Sequence, residues 1–120
     1  MGHVVVVGAG TGGVPAAYEL RATLSKEHEV TLINATPKFQ FVPSNPWVAV
    51  GWRQPDDITV DLPPLLARRG VKFIAQAVAK IDAGASFLDL ADGARIAYDY
   101  LVLATGPGLA FDEIPGFGAV

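Results

Sequence analysis

One cluster in this chain has residue types and spacing that point to ligand chemistry. It is GAGTGG, residues 8–13, a GxGxxG array formed by Gly8, Gly10 and Gly13. The array stands between a β-branched run, HVVVV, and a segment of helical period. In that setting each glycine has its own task. Gly8 permits a tight turn, Gly10 lets a pyrophosphate approach the backbone, and Gly13 lets the helix pack closely on the strand, with Ala17 extending the small face one turn later. The start of the helix then offers free N–H groups and the positive end of its dipole to phosphates. GxGxxG alone is weak evidence. Between a clear strand and a clear helix it is a strong signal for dinucleotide binding, the alternative being a glycine-rich turn with no ligand.

Two further positions belong to the same argument. An acidic residue is expected roughly 20 residues on, at the end of the second strand, to hold the adenosine ribose. This chain has Asn34 there. Asparagine can bind a ribose hydroxyl, less strongly than a carboxylate; the alternative is that it only starts a turn. No arginine stands beside it to receive the 2′-phosphate of NADP. Near the other end, YDYLVLATG runs into a small-residue turn at Thr105 and Gly106. Ligands of open α/β sheets lie beyond the carboxyl ends of strands, so Gly8, Asn34 and Thr105 are expected to line one crevice.

Composition narrows the remaining chemistry. The 120 residues are 51% hydrophobic and 18% charged, with a net charge of −3, which describes a globular domain with a real core and no basic patch for nucleic acid. There is no cysteine, so no disulfide, thiolate metal site or cysteine nucleophile lies within these residues. The two histidines, His3 and His28, are expected at strand and helix edges rather than in a shared metal site. No apolar run approaches the ~18 residues of a membrane span, and MGHVVVVGAG does not read as a signal peptide.

The elements that must position these groups follow from periodicity. HVVVV is a buried parallel strand. Residues 11–27 form a helix with Val14, Ala17, Leu20 and Leu24 on one stripe, and EVTLIN is a second strand, completing a βαβ unit. Asp61 is placed to cap a short helix over residues 63–69, stopped by Gly70. Residues 71–82 read as a third strand running on into irregular chain. SFLDLADGARIA gives two short strands about the Asp92–Gly93 turn signal, and residues 100–104 form another buried strand. The expected fold is α/β: a Rossmann-like βαβ unit with a parallel sheet and a small β-meander insertion, residues 1–120 being the N-terminal part of a Rossmann-like domain.

Residues 38–52, KFQFVPSNPWVAVGW, are apolar and hold both tryptophans, yet they fall where a loop is expected. This segment gives the chain its most specific likeness. The GxGxxG start with the later DYLVLATG resembles the two-dinucleotide-binding-domain flavoproteins. With FVPSNPWVAVGW, IAQAV and YDYLVLATGPGLAF added, the chain resembles the sulfide:quinone oxidoreductases. The resemblance runs over essentially all 120 residues and covers the first quarter or so of such an enzyme.

That resemblance implies FAD as cofactor, with sulfide and a membrane quinone as substrates of the full enzyme. It implies that Gly8, Gly10, Thr11, Gly12 and Gly13 hold the FAD pyrophosphate. Asn34 and Ala35 would meet the ribose, and Ala77 the adenine through its backbone. Thr105 and Gly106 would pass near the pyrophosphate and flavin, and Pro43, Ser44 and Asn45 would lie along the flavin ring. Residues 38–52 would then wall the ring off from water, stiffened by two prolines, unless their aromatic residues simply pack into the core. The family's redox cysteines are absent here, so the chain by itself is expected to be catalytically inactive. Peripheral membrane association is expected through parts outside it. Apolar surface left where the rest of the enzyme packs would favour self-association. Three alternatives stay open: an NADH:quinone oxidoreductase, the flavin subunit of a flavocytochrome sulfide dehydrogenase, and a non-catalytic dinucleotide-binding module. A soluble NAD dehydrogenase domain is disfavoured by Asn34 and the Trp-rich loop.

Overall fold

A computed structural model describes residues 1–118. Its centre is a four-stranded parallel sheet in the order β5 (Lys72–Ala75), β2 (Glu29–Asn34), β1 (His3–Val7) and β9 (Tyr100–Leu103). Strands β1 (His3–Val7) and β2 (Glu29–Asn34) lie where the sequence places them, paired from His3 opposite Glu29 to Val7 opposite Ile33. Both are rich in β-branched residues and buried on both faces, as a central parallel strand requires. Alternation then sends side chains to two cores. Val6, Val30 and Leu32 face one side, where they meet Ala17 of α1 (Gly13–Thr23) and Leu62 and Leu66 of α3 (Leu62–Arg68). Val5, Val7 and Ile33 face the other, against Leu88 and Leu90. These belong to a three-stranded meander of β6 (Val78–Asp82), β7 (Phe87–Leu90) and β8 (Arg95–Ala97). Each fully buried Val or Leu contributes about 1.5–3 kcal/mol of transfer free energy. The expected α/β architecture with its meander is thus present, with helices on one face of the sheet and the meander on the other.

Several local expectations are corrected. Helix α1 begins at Gly13 and ends at Thr23, short of the predicted 11–27, because Arg21 donates to the carbonyls of Leu24, Ser25 and His28 and turns the chain out. His28 therefore sits in the connection, where its Nδ1 accepts from the Gly2 N–H. Residues 71–82 are not one strand. β5 (Lys72–Ala75) pairs with β2, and β6 leaves for the meander, the break falling at Gln76 and Ala77. The last strand, β9 (Tyr100–Leu103), lies at the sheet edge, and Tyr100 and Leu103 are 68% and 58% exposed rather than buried. Asp61 stands at the N-cap position of α3, but its carboxylate bonds Lys38 at 2.6 Å instead of the helix amides. Gly70, at φ +72°, does end that helix, and no α3 residue beyond Arg68 follows.

Residues 38–52 are structured, not a loop. β3 (Lys38–Gln40) pairs antiparallel with β4 (Thr59–Asp61). A 3-10 turn at Val42–Ser44 then leads into the short helix α2 (Asn45–Ala49), with a proline early in each. Pro43 and Pro46 stand where a missing N–H costs little. Among the described residues no helix is long and apolar enough to cross a membrane.

Candidate nucleotide-binding crevice

The crevice forms at the carboxyl ends of β1, β2 and β9. From β1 the chain proceeds to β2 on one side, while β9 lies on the other, so the space beyond β1 is the switch point of the sheet. The glycine turn shapes it. Gly8 has φ +103°, and its N–H donates to the Ile33 carbonyl at 2.8 Å. A Cβ on Gly8 would meet the Ala104 carbonyl oxygen at 2.2 Å, so the exit of β9 presses directly on the turn. A Cβ on Gly13 would lie 1.7 Å from the Gly8 oxygen, which makes the third glycine a packing requirement between α1 and β1. Gly10 is the opposite case. A Cβ there would meet nothing within 4 Å, so its backbone faces open space.

Two connected cavities occupy that space, of about 580 and 220 Å³. The larger is lined by Gly8, Gly10, Thr11 and Gly12 on one side and Thr105 and Gly106 on another. The smaller extends from Asn34 and Ala35 to Ala77. Gly8, Asn34 and Thr105 border both, so the three strand ends share one crevice as expected. Neither cavity has an ionisable side chain in its wall. An anionic group there would rely on amides and the dipole of α1. Among the described residues the N–H groups of Gly10, Thr11, Gly12 and Gly13 donate to no carbonyl or side chain of the chain. A pyrophosphate needs such a cradle, and the residues present fit one.

Asn34 has a second use that its spacing did not reveal. Its Oδ1 accepts from the Ala9 N–H at 3.1 Å, and its Nδ2 donates to the Thr36 carbonyl at 2.9 Å. The side chain thereby ties the end of β2 to the glycine turn. Gln40, Val42 and Pro107 also line the larger cavity, and Gln76 the smaller; sequence reasoning missed all four. Gln40 and Val42 come from the β3 region across the crevice, a proximity no local signal carries. Gly13 lies beneath the crevice, and Pro43 and Asn45 are not part of its wall. Ser44 is 4% exposed and accepts from Arg53 at 2.8 Å, while Asn45 Oδ1 accepts from Gln40 Nε2 at 2.8 Å. The tryptophans do not join the core. Trp47 and Trp52 are 41% and 76% exposed and, with Pro46 and Val50, line an apolar hollow of about 280 Å³.

The groups with displaced ionisation lie elsewhere, in surface pairs. Glu29 is held below the ordinary glutamate range by the Lys72 ammonium, bonded at 2.6 Å, against a smaller opposing effect of burial. Asp89 is lowered by its bond to Arg95 and Lys38 raised by Asp61. A charged hollow of about 510 Å³ also opens beside Gly2, His3 and Lys72. It sits at the amino ends of β1 and β2, the wrong end of the sheet for a nucleotide. Among the described residues no cluster of His, Asp or Glu could hold a metal.

Comparison with known proteins agrees with this geometry. The profile of the pyridine nucleotide-disulphide oxidoreductases matches residues 2–119. The sulfide-quinone reductase of Aquifex aeolicus (strain VF5) is 46% identical over 91% of this chain. The mitochondrial sulfide:quinone oxidoreductase of Dictyostelium discoideum is 26% identical over 94%. The crystal structure of the Aquifex aeolicus sulfide:quinone oxidoreductase superposes with a TM-score of 0.88 at 44% identity, covering 92% of this chain and 26% of that one. This chain spans about a quarter of the length of both curated relatives. The glycine turn, the parallel sheet and the extent of these matches show that the chain belongs to the pyridine nucleotide-disulphide oxidoreductase family.

Proposed function

We propose that this chain is the FAD-binding front of an oxidoreductase that takes electrons from sulfide and delivers them through FAD to a quinone. The observation that carries the reading is the neutral crevice at the switch point, with the unpaired amides of Gly10, Thr11 and Gly12 in its wall and open space beside Gly10. The likeness to sulfide-quinone reductase at 46% identity supports the choice of substrates. When bound, FAD supplies the two-electron redox chemistry. The chain's own residues bind and orient it. Gly10, Thr11 and Gly12 would cradle the pyrophosphate through their N–H groups, above the helix start that Gly13 seats on β1. Asn34, by holding the Ala9 N–H, keeps the turn open; Ala35 and Ala77 would border the ribose and adenine. Thr105 and Gly106 would pass beside the pyrophosphate. Pro43, Ser44 and Asn45 would approach the flavin ring from the second wall, outside the part of the crevice already formed by this chain. The reacting thiols would come from residues beyond these 120, which hold no cysteine. Peripheral membrane contact and packing over the exposed edge of β9 would likewise involve the rest of the enzyme.

The test is made on the full-length protein. It should purify with FAD and reduce a soluble quinone with sulfide as donor. Reduction by NADH with no response to sulfide would overturn the assignment in favour of an NADH:quinone oxidoreductase.

A further inference from the structure

The segment that follows β3 is held by few contacts. Of residues 42–53 only Ser44 is buried, and α2 buries none of its side chains. Its shape depends on bonds across the segment itself. The Trp52 and Arg53 amides both donate to the Trp47 carbonyl, at 2.8 and 3.2 Å. The Arg53 side chain then reaches back nine residues. One guanidinium nitrogen donates to Ser44 Oγ at 2.8 Å, and the guanidinium carbon lies 5.2 Å from the centroid of the Trp47 ring. A single planar group thus satisfies a buried hydroxyl and covers an aromatic face. It holds the segment's returning end against its start, offsetting the loop-closure entropy that would otherwise leave an exposed stretch of this length open.

We propose that Arg53 is a positioning residue that, by anchoring the buried Ser44, sets how Pro43 and Asn45 on either side of it face the flavin. This rests on the FAD reading above, and Arg53 itself need not touch the cofactor. Lysine is a poor replacement. Its point charge can bond Ser44 or lie over Trp47, but it lacks the fork and the plane that do both. Cation–π contact of this kind also weakens once the cation is strongly hydrated.

The experiment compares wild type, Arg53→Ala, Arg53→Lys and Ser44→Ala in the full-length flavoprotein. The readouts are the visible bands of bound flavin, the FAD dissociation constant and Tm. Arg53→Ala should shift the flavin bands and raise the dissociation constant about tenfold, equivalent to about 1.4 kcal/mol. Arg53→Lys should not restore either value. Ser44→Ala should move both the same way by less, since the contact with Trp47 remains. It also serves as the readable variant should Arg53→Ala fail to fold. Adding Ser44→Ala to Arg53→Ala should change little more, because the two act as one unit. Unchanged bands and affinity in Arg53→Ala, or in Ser44→Ala if the former does not fold, would overturn the inference and leave the FAD assignment standing. Full rescue by lysine would overturn it too. A wild-type protein that holds no flavin would overturn the FAD assignment and this inference together.

Discussion

Gly13→Ala and Gly10→Ala differ by one methyl group at two neighbouring glycines, and the structure assigns them opposite outcomes. At Gly13 the new Cβ would stand 1.7 Å from the Gly8 oxygen and 2.8 Å from its carbonyl carbon. Both atoms are backbone, so no side chain can move aside. A tolerable contact needs roughly 3 Å, so α1 must retreat from β1 by over about 1 Å. Ala17, fully buried one turn later, would lose its seat against the same sheet. Overpacking costs about 1–3 kcal/mol, and a gap of that size forfeits roughly a quarter to a half of the dispersion contacts at the interface. The expected loss is about 3 kcal/mol. With a urea m-value of about 1–3 kcal/mol/M, the unfolding midpoint should drop by roughly 1–3 M. Gly10→Ala meets no atom within 4 Å and has no positive φ to strain it. Its stability should stay within about 0.5 kcal/mol of wild type, while FAD affinity falls at least about tenfold because the methyl fills the space the pyrophosphate needs. Urea unfolding followed by circular dichroism, with FAD titration, reads both. A Gly13→Ala protein as stable as wild type would refute the packing argument. A Gly10→Ala protein that binds FAD undiminished would refute the placement of the pyrophosphate.

Asn34→Ala removes the acceptor of the Ala9 N–H, a residue only 6% exposed, and the donor to Thr36. The stranded amide should cost on the order of 1–3 kcal/mol, seen as a lower Tm in the absence of any ligand; a change confined to FAD affinity would favour direct ribose contact instead. Glu29 predicts a pH dependence. Its folded carboxyl titrates below its ordinary value of 4.5, first because of the bond to Lys72. A depressed carboxylate stabilises the fold above its unfolded pKa and loses that contribution as pH falls through the folded one. The urea midpoint should therefore fall more steeply below about pH 4.5 in wild type than in Lys72→Met, and equal slopes would count against the pair. The pair is largely exposed, so the effect should be small and should shrink in high salt.

What was legible in the sequence was local. β1 and β2 followed from β-branched runs that only a doubly covered parallel strand can use, and the tight turn at Gly8 and the close packing at Gly13 followed from the glycine spacing. The meander turn at Asp92 and Gly93 was equally local. The errors share one cause, which is that a neighbour distant in sequence decided the outcome. Residues 71–82 read as one strand running on into irregular chain, but β2 pairs with the first part and β7 with the second. Asp61 has the right position for a cap, and Lys38 on the paired strand takes its carboxylate. Residues 38–52 looked like a loop because prolines interrupt the period, although β4 supplies a partner for β3 and Arg53 closes the rest.

The sequence by itself therefore determined the glycine turn and the strands that flank it, since a glycine array and an apolar period act on the backbone within a few residues. Only the tertiary structure decided that Asn34 spends its amide on the glycine turn. It alone brought Gln40 and Val42 into the crevice and left Trp47 and Trp52 outside the core. Those outcomes depend on which side chains meet across the sheet, and periodicity carries no record of that.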